Sequence, residues 1–165
     1  VIEILEGSYS NDINKILEER KANFVLYRKM TPPRIMTSDG EILTDKTENN
    51  SAPEGALIGT AASAGIKEGT ANVILKLSDA DLKEGEILVT PYMDPAWTPL
   101  FSKASALVTE TGGMMMHSSV TARECGIPAA AGVKDAVKKI KTGDRIRVNG
   151  TEGYVEILEA YKEEI

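Results

Sequence analysis

The stretch TETGGMMMHSSVTARECGIPAAAG, residues 109–132, holds the only histidine in the chain, His117. A β-type run, ALVTE, leads into it, and Gly112 and Gly113 then allow a sharp turn and leave room for a ligand to approach. HSSVTAREC reads as a helix that starts at His117 and is closed by Gly126 and Pro128. The imidazole is therefore placed beside the unpaired N–H groups and positive dipole end of a helix. Those N–H groups, with the hydroxyls of Ser118 and Ser119, can hold an anion as helix N-termini hold phosphates. A nucleophilic imidazole next to an anion cradle suits covalent phosphorylation of histidine better than general-base work.

On these residues alone a second reading stays open, because a lone histidine near a helix start is more often structural. A metal centre is disfavoured: one histidine and one cysteine, Cys125, cannot supply the three or four soft ligands of a zinc site. There is no Gly-x-Ser-x-Gly elbow for a serine hydrolase. GTAASAGIKEG (residues 59–69) lacks the spacing of a dinucleotide or P-loop fingerprint.

Working outward, ALIGTAAS, GTANVILKL, GEILVTPY, ASALVTE, IPAAAGV, RIRVNG and YVEIL are short β-type runs separated by glycine-containing turns. Helical pieces fall between them: PAWTPLFSKA, capped by Asp94 with Pro95 at its first position and shortened by Pro99, then HSSVTAREC and KDAVKKI. The final RIRVNGTEGYVEIL predicts a hairpin with Ile146, Val148, Val155 and Ile157 facing inward. This mixture, without repeats, predicts a compact α/β domain over residues 55–165. Residues 1–54 read as a helical arm and linker. Ile13, Ile16, Leu17, Phe24 and Tyr27 recur at helical spacing, with Ser10 as candidate cap. Pro32 and Pro33 stop that helix, and residues 37–54 are polar and turn-rich apart from Ile42 and Leu43.

Composition bounds the function. The chain has 165 residues, 42% hydrophobic and 27% charged, enough for one buried core and a soluble surface. A net charge of -6 with no basic run argues against nucleic acid or a membrane surface as partner. No apolar stretch approaches the ~20 residues that cross a bilayer. The lone Cys125 excludes an internal disulfide and fits a reducing cytoplasm. The start on Val1, without an initiator methionine, is what a piece cut from a longer protein would show, and loss of the initiator would give the same start.

The same stretch resembles the phosphohistidine, or mobile swivelling, domain of phosphoenolpyruvate-utilising enzymes, the family of phosphoenolpyruvate synthase, pyruvate phosphate dikinase and the rifamycin phosphotransferases. Gly112, Gly113, His117, Ser118, Ser119, Ala122, Arg123, Gly126, Ile127, Pro128 and Ala129 match that domain's pattern in order. The likeness extends over residues 55–158, and ILVTPYMDPAWTPLF and TPPRIMTSDGE look most like the synthase and rifamycin-phosphotransferase branch. The resemblance implies a swivelling β/β/α fold in which His117 is the phosphocarrier nucleophile, reacting through Nε2. Gly113, Ser118, Ser119 and Arg123 would hold the phosphate. Arg123 is the weaker match, since six residues along an ideal helix it points about 120° away from His117. Its bland role is a surface ion pair.

The resemblance further implies that no cofactor is bound by this domain. Mg-ATP and phosphoenolpyruvate would belong to the parent enzyme, and the partners would be an ATP-grasp domain and an acceptor domain for pyruvate or another substrate. The isolated domain would then catalyse no turnover. Met115 and Met116 depart from the family, which has Thr, Ser or Cys in one of those two places, and Thr121 stands where an aliphatic residue is commoner. Met114 is expected to fill an apolar gap, Trp97 and Phe101 to be core or docking surface, and Cys125 to be buried. The alternative from a different class is a degenerate swivelling domain that acts as a binding module.

Overall fold

The computed structural model describes residues 13–30, 35–40, 42–43 and 52–161. Contacts divide the chain into two units, Val1–Lys46 and Thr47–Ile165. In the first, helix α1 (Ile13–Tyr27) occupies the stretch with helical spacing and ends ahead of the diproline. None of its residues is buried, and the candidate cap Ser10 lies outside the described residues. Strand β1 (Ile35–Met36) pairs antiparallel with β2 (Ile42–Leu43), so the two apolar residues of the expected linker are strand-forming.

The second unit is built on eight strands: β3 (Leu57–Ile58), β4 (Thr60–Ser63), β5 (Ile66–Val73), β6 (Ile87–Thr90), β7 (Ala106–Thr109), β8 (Ala129–Ala131), β9 (Arg145–Asn149) and β10 (Tyr154–Glu159). Every β-type run of the sequence contributes to one of them. Their order in the sheet is β3-β10-β9-β5-β6-β7-β8-β4. The two strands at the ends of that order, β3 and β4, are separated in the chain by Gly59 alone. The sheet must therefore curl until its ends meet. Strand β5 makes the bend possible by serving two partners: Ile66–Thr70 pairs antiparallel with β9, and Ala71–Val73 pairs parallel with β6.

Closure depends on close backbone approach where the β9–β10 turn meets β4. A Cβ at Gly150 would collide with the Ser63 carbonyl, and one at Gly153 with the Ala61 nitrogen. Only glycine fits at either place. On the solvent side of the β5–β9–β10 ladder, Arg147 bridges Glu68 at 2.6 Å and Glu156 at 3.0 Å, its direct neighbours in register. The Arg147 hydrogen bond, and then its charge, hold the Glu68 carboxyl below the ordinary glutamate range.

Alternation along the strands separates two cores. Ile87, Val89, Val108, Ile146, Val148 and Val155 form one. Leu88, Leu107 and Ala129 point the other way, against Trp97, Phe101 and Ala122. Strands β6 and β7 are buried on both faces, which is why they read as unbroken apolar runs. Trp97 and Phe101 lie on a 3-10 helix, Pro95–Ser102, started as expected by Asp94, whose carboxylate accepts from the Ala96 N–H at 2.8 Å. Both rings are core. The helical stretch HSSVTAREC is α2 (His117–Glu124), and KDAVKKI yields only a single turn, α3 (Ala136–Lys139).

Two expectations are corrected here. Ile157 stays in register opposite the buried Ile146 but is 38% exposed, so it is not the core residue expected. Cys125 is exposed: it is the C-cap of α2, beyond the face that packs on the sheet.

Candidate functional site

Parallel strands β6 and β7 end together at Thr90 and Thr109, both buried. The segments that follow stay joined: the Glu110 N–H donates to the Thr90 carbonyl, and the Thr111 N–H and hydroxyl both donate to the Pro91 carbonyl, at 3.0 and 2.9 Å. Glu110 accepts from the Val137 N–H at 3.0 Å and so anchors the start of α3. The site thus forms at the carboxyl ends of parallel strands, where α/β sheets place ligands.

The turn into α2 uses the two glycines differently. Gly112 has φ +133°, a conformation that a side chain would strain. Gly113 has no positive φ, and a Cβ there would meet nothing within 4 Å, so its backbone faces open space, as the room expected for a ligand requires. The Gly113 carbonyl is turned inward and accepts from the Met116 N–H at 3.1 Å and from the Ser119 hydroxyl at 2.8 Å.

His117 stands at the first position of α2, exposed to solvent. Its Nε2 lies 3.5 Å from the Thr121 hydroxyl, one turn further along the helix. The N-cap residue is Met116, which offers no capping side chain. Among the described residues, the N–H groups of His117 and Ser118 meet no acceptor, as is usual for the first turn of a helix.

Gly113 lies in the turn, and His117 and Ser118 are the first two residues of α2 after it. Ser118 is 5% exposed, and Ser119 is fully buried with its hydrogen given to the Gly113 carbonyl. Arg123 lies on another face of α2, as its spacing implies. Among the described residues it makes no ion pair: Nη1 donates to the Ala62 carbonyl at 2.6 Å and Nη2 to the Met114 carbonyl at 2.9 Å. Met114, Met115 and Met116 are 58%, 90% and 52% exposed. Met114 therefore does not fill an apolar gap; the turn carries all three side chains outward past the helix end. Sequence reasoning placed neither the Thr121 contact nor the carbonyl partners of Arg123. The i, i+4 spacing of His117 and Thr121 was the available signal for the first.

Comparison with known proteins bears on this geometry. Residues 82–153, which include the whole turn and α2, match the family described as PEP-utilising enzyme, mobile domain. The chain carries a mobile domain of the PEP-utilising enzymes. It is 54% identical over 144 residues to "Rifampicin phosphotransferase" of Bacillus subtilis (strain 168), covering 87% of this chain and 17% of that protein. It is 42% identical over 123 residues to "Probable phosphoenolpyruvate synthase" of Pyrococcus horikoshii, covering 74% of this chain and 15% of that one. The mobile domain thus spans less than a fifth of the length of these curated relatives.

Among solved structures, a chain of Thermococcus kodakaraensis aconitase X aligns with a TM-score of 0.50 and 26% identity, over 66% of this chain and 100% of its own. A fold shared with a protein so named does not specify a reaction, which has to be argued from the site. The mobile domain is a mixed α/β structure, as the sequence indicates, and its relatives are phosphotransferases and synthases; nothing among them supports a non-catalytic binding module. Among the described residues, no helix is long and apolar enough to cross a membrane.

Proposed function

We propose that this mobile domain carries a phosphoryl group on His117. The observation that carries the reading is an exposed imidazole at the first position of α2, beside backbone N–H groups with no side-chain cap. A ring nitrogen forms an N–P bond while the P–O bond of the donor breaks, and the donor oxygen leaves with the electron pair. In the second half an acceptor oxygen attacks the phosphorus and the imidazole leaves. The N–H groups of His117 and Ser118, with the open backbone at Gly113, offset charge on the phosphoryl oxygens. Ser118 adds its hydroxyl, and Ser119 holds the turn.

The donor is Mg-ATP bound by an ATP-grasp domain, or phosphoenolpyruvate, and the acceptor is pyruvate or another hydroxyl compound held by a further domain. The greater identity to rifampicin phosphotransferases favours an antibiotic hydroxyl. These substrates are bound by the partner domains, and the chemistry takes place in the cytoplasm. The test is to incubate the protein with Mg-ATP and a matching ATP-grasp domain and to assay a phosphate adduct stable in base and lost in acid. His117→Ala should abolish it. An adduct that survives that substitution would overturn the assignment.

A further inference from the structure

We infer that Arg123 is a positioning residue for His117, a strut between two backbone carbonyls, and not a ligand of the phosphate; this rests on the carrier function of His117 proposed above. Strand β4 pairs with β8 at Thr60, Ala61 and Ser63, and the register shifts between Ala61 and Ser63. The bulge leaves the Ala62 carbonyl without a ladder partner, and Arg123 Nη1 supplies one at 2.6 Å. The other arm of the same guanidinium reaches the Met114 carbonyl, in the turn that leads to His117, at 2.9 Å. A single planar fork thus joins the sheet at Ala62 to the turn at Met114.

The turn is then held from α2 at two places. Ser119 grips the Gly113 carbonyl and Arg123 the Met114 carbonyl, two successive peptide groups on either side of the Met114 Cα. Both residues belong to the helix that begins with His117, so the turn is tied to the element that carries the imidazole. Arg123 also borders a shallow groove of about 280 Å³ with Ala61–Ala64, Met114 and Met115. Its head lies along that groove, engaged with carbonyl oxygens, whereas a phosphate ligand would direct its paired donors at the space over the imidazole.

The two roles predict different behaviour for a substitution that keeps the charge. Lysine retains the positive charge but cannot span both carbonyls. Arg123→Lys and Arg123→Gln would be made in the full-length protein that contains this chain, with His117→Ala as the blank. Phosphate incorporation would be followed as a function of Mg-ATP concentration, and amide hydrogen exchange at Met116, whose N–H is bonded to the Gly113 carbonyl. A strut predicts that both variants lose at least about tenfold in the maximal labelling rate, with half-saturation by Mg-ATP unchanged. It also predicts that Met116 exchanges faster in both. A phosphate ligand predicts near-normal labelling in Arg123→Lys, a loss confined to Arg123→Gln, and unchanged exchange at Met116; that pattern would overturn the proposal while leaving His117 as carrier. Absence of label in the parent protein would instead overturn the carrier function, and with it the positioning role.

Discussion

The Ser119 hydroxyl donates to the Gly113 carbonyl at 2.8 Å, across the turn that separates the strand β7 segment from His117. Ser119 is fully buried, so this bond is formed away from water and ties the first turn of α2 to the chain before it. Ser119→Ala removes it. The Gly113 carbonyl keeps its bond from Met116, so the expected loss is about 1 kcal/mol of stability, read from chemical denaturation. Phosphorylation of His117 should slow but remain measurable in the same variant.

Thr109 presents the opposite case. Its hydroxyl is buried and, among the described residues, has no hydrogen-bond partner. Exchanging that oxygen for a methyl group removes a desolvated donor without opening a cavity. Thr109→Val should therefore be neutral or stabilise the domain by up to about 1 kcal/mol, seen as a raised denaturation midpoint.

Curling of the sheet is tested at the β9–β10 turn. A Cβ at Gly150 would meet the Ser63 carbonyl and, at 2.6 Å, the Ala129 nitrogen, both of them backbone atoms that cannot turn aside. Gly150→Ala should cost more than about 2 kcal/mol, since overpacking here can be relieved only by moving β4 or β8. Gly113→Ala, where a Cβ meets open space, is the matched control and should change stability far less.

How much of this was legible in the sequence differs from feature to feature. Strands β6 and β7 could be read because they are buried on both faces and so appear as ILVT and ALVT without polar interruption. The start of α2 could be read because the glycines, the histidine and the terminating Gly126 and Pro128 follow one another within the chain. The meeting of β3 and β4 at the two ends of one sheet order could not, since it rests on pairings far apart in sequence. The same holds for Arg123, whose partner Ala62 is freed by a bulge that leaves no local signature. Ile157 and Cys125 were misplaced because periodicity does not show where packing stops: Ile157 keeps its register opposite Ile146 yet is exposed, and Cys125 is a helix C-cap.

The ion pairs across β5, β9 and β10 give a pH dependence of fixed sign. Glu68 has its carboxyl held below the ordinary value of 4.5 by the hydrogen bond from Arg147 and then by its charge. The unfolded chain therefore takes up this proton first as pH falls. The contribution is complete above the unfolded value and is lost as pH drops through the lower folded one. Glu68→Gln should narrow the stability difference from the parent chain below about pH 4.5 and show the full difference at neutral pH, measured by denaturation across that range. Because the pair is on the surface, added salt should reduce the neutral-pH difference.

The most direct test of the account is to locate the phosphate. After reaction of the full-length protein with its phosphoryl donor, digestion under alkaline conditions yields the peptide ASALVTETGGMMMHSSVTAR, residues 104–123, and fragmentation mass spectrometry assigns the modified side chain. The account predicts one phosphoryl group on His117, lost on brief acidification. A phosphate that maps to Ser118 or Ser119 and withstands acid would contradict it.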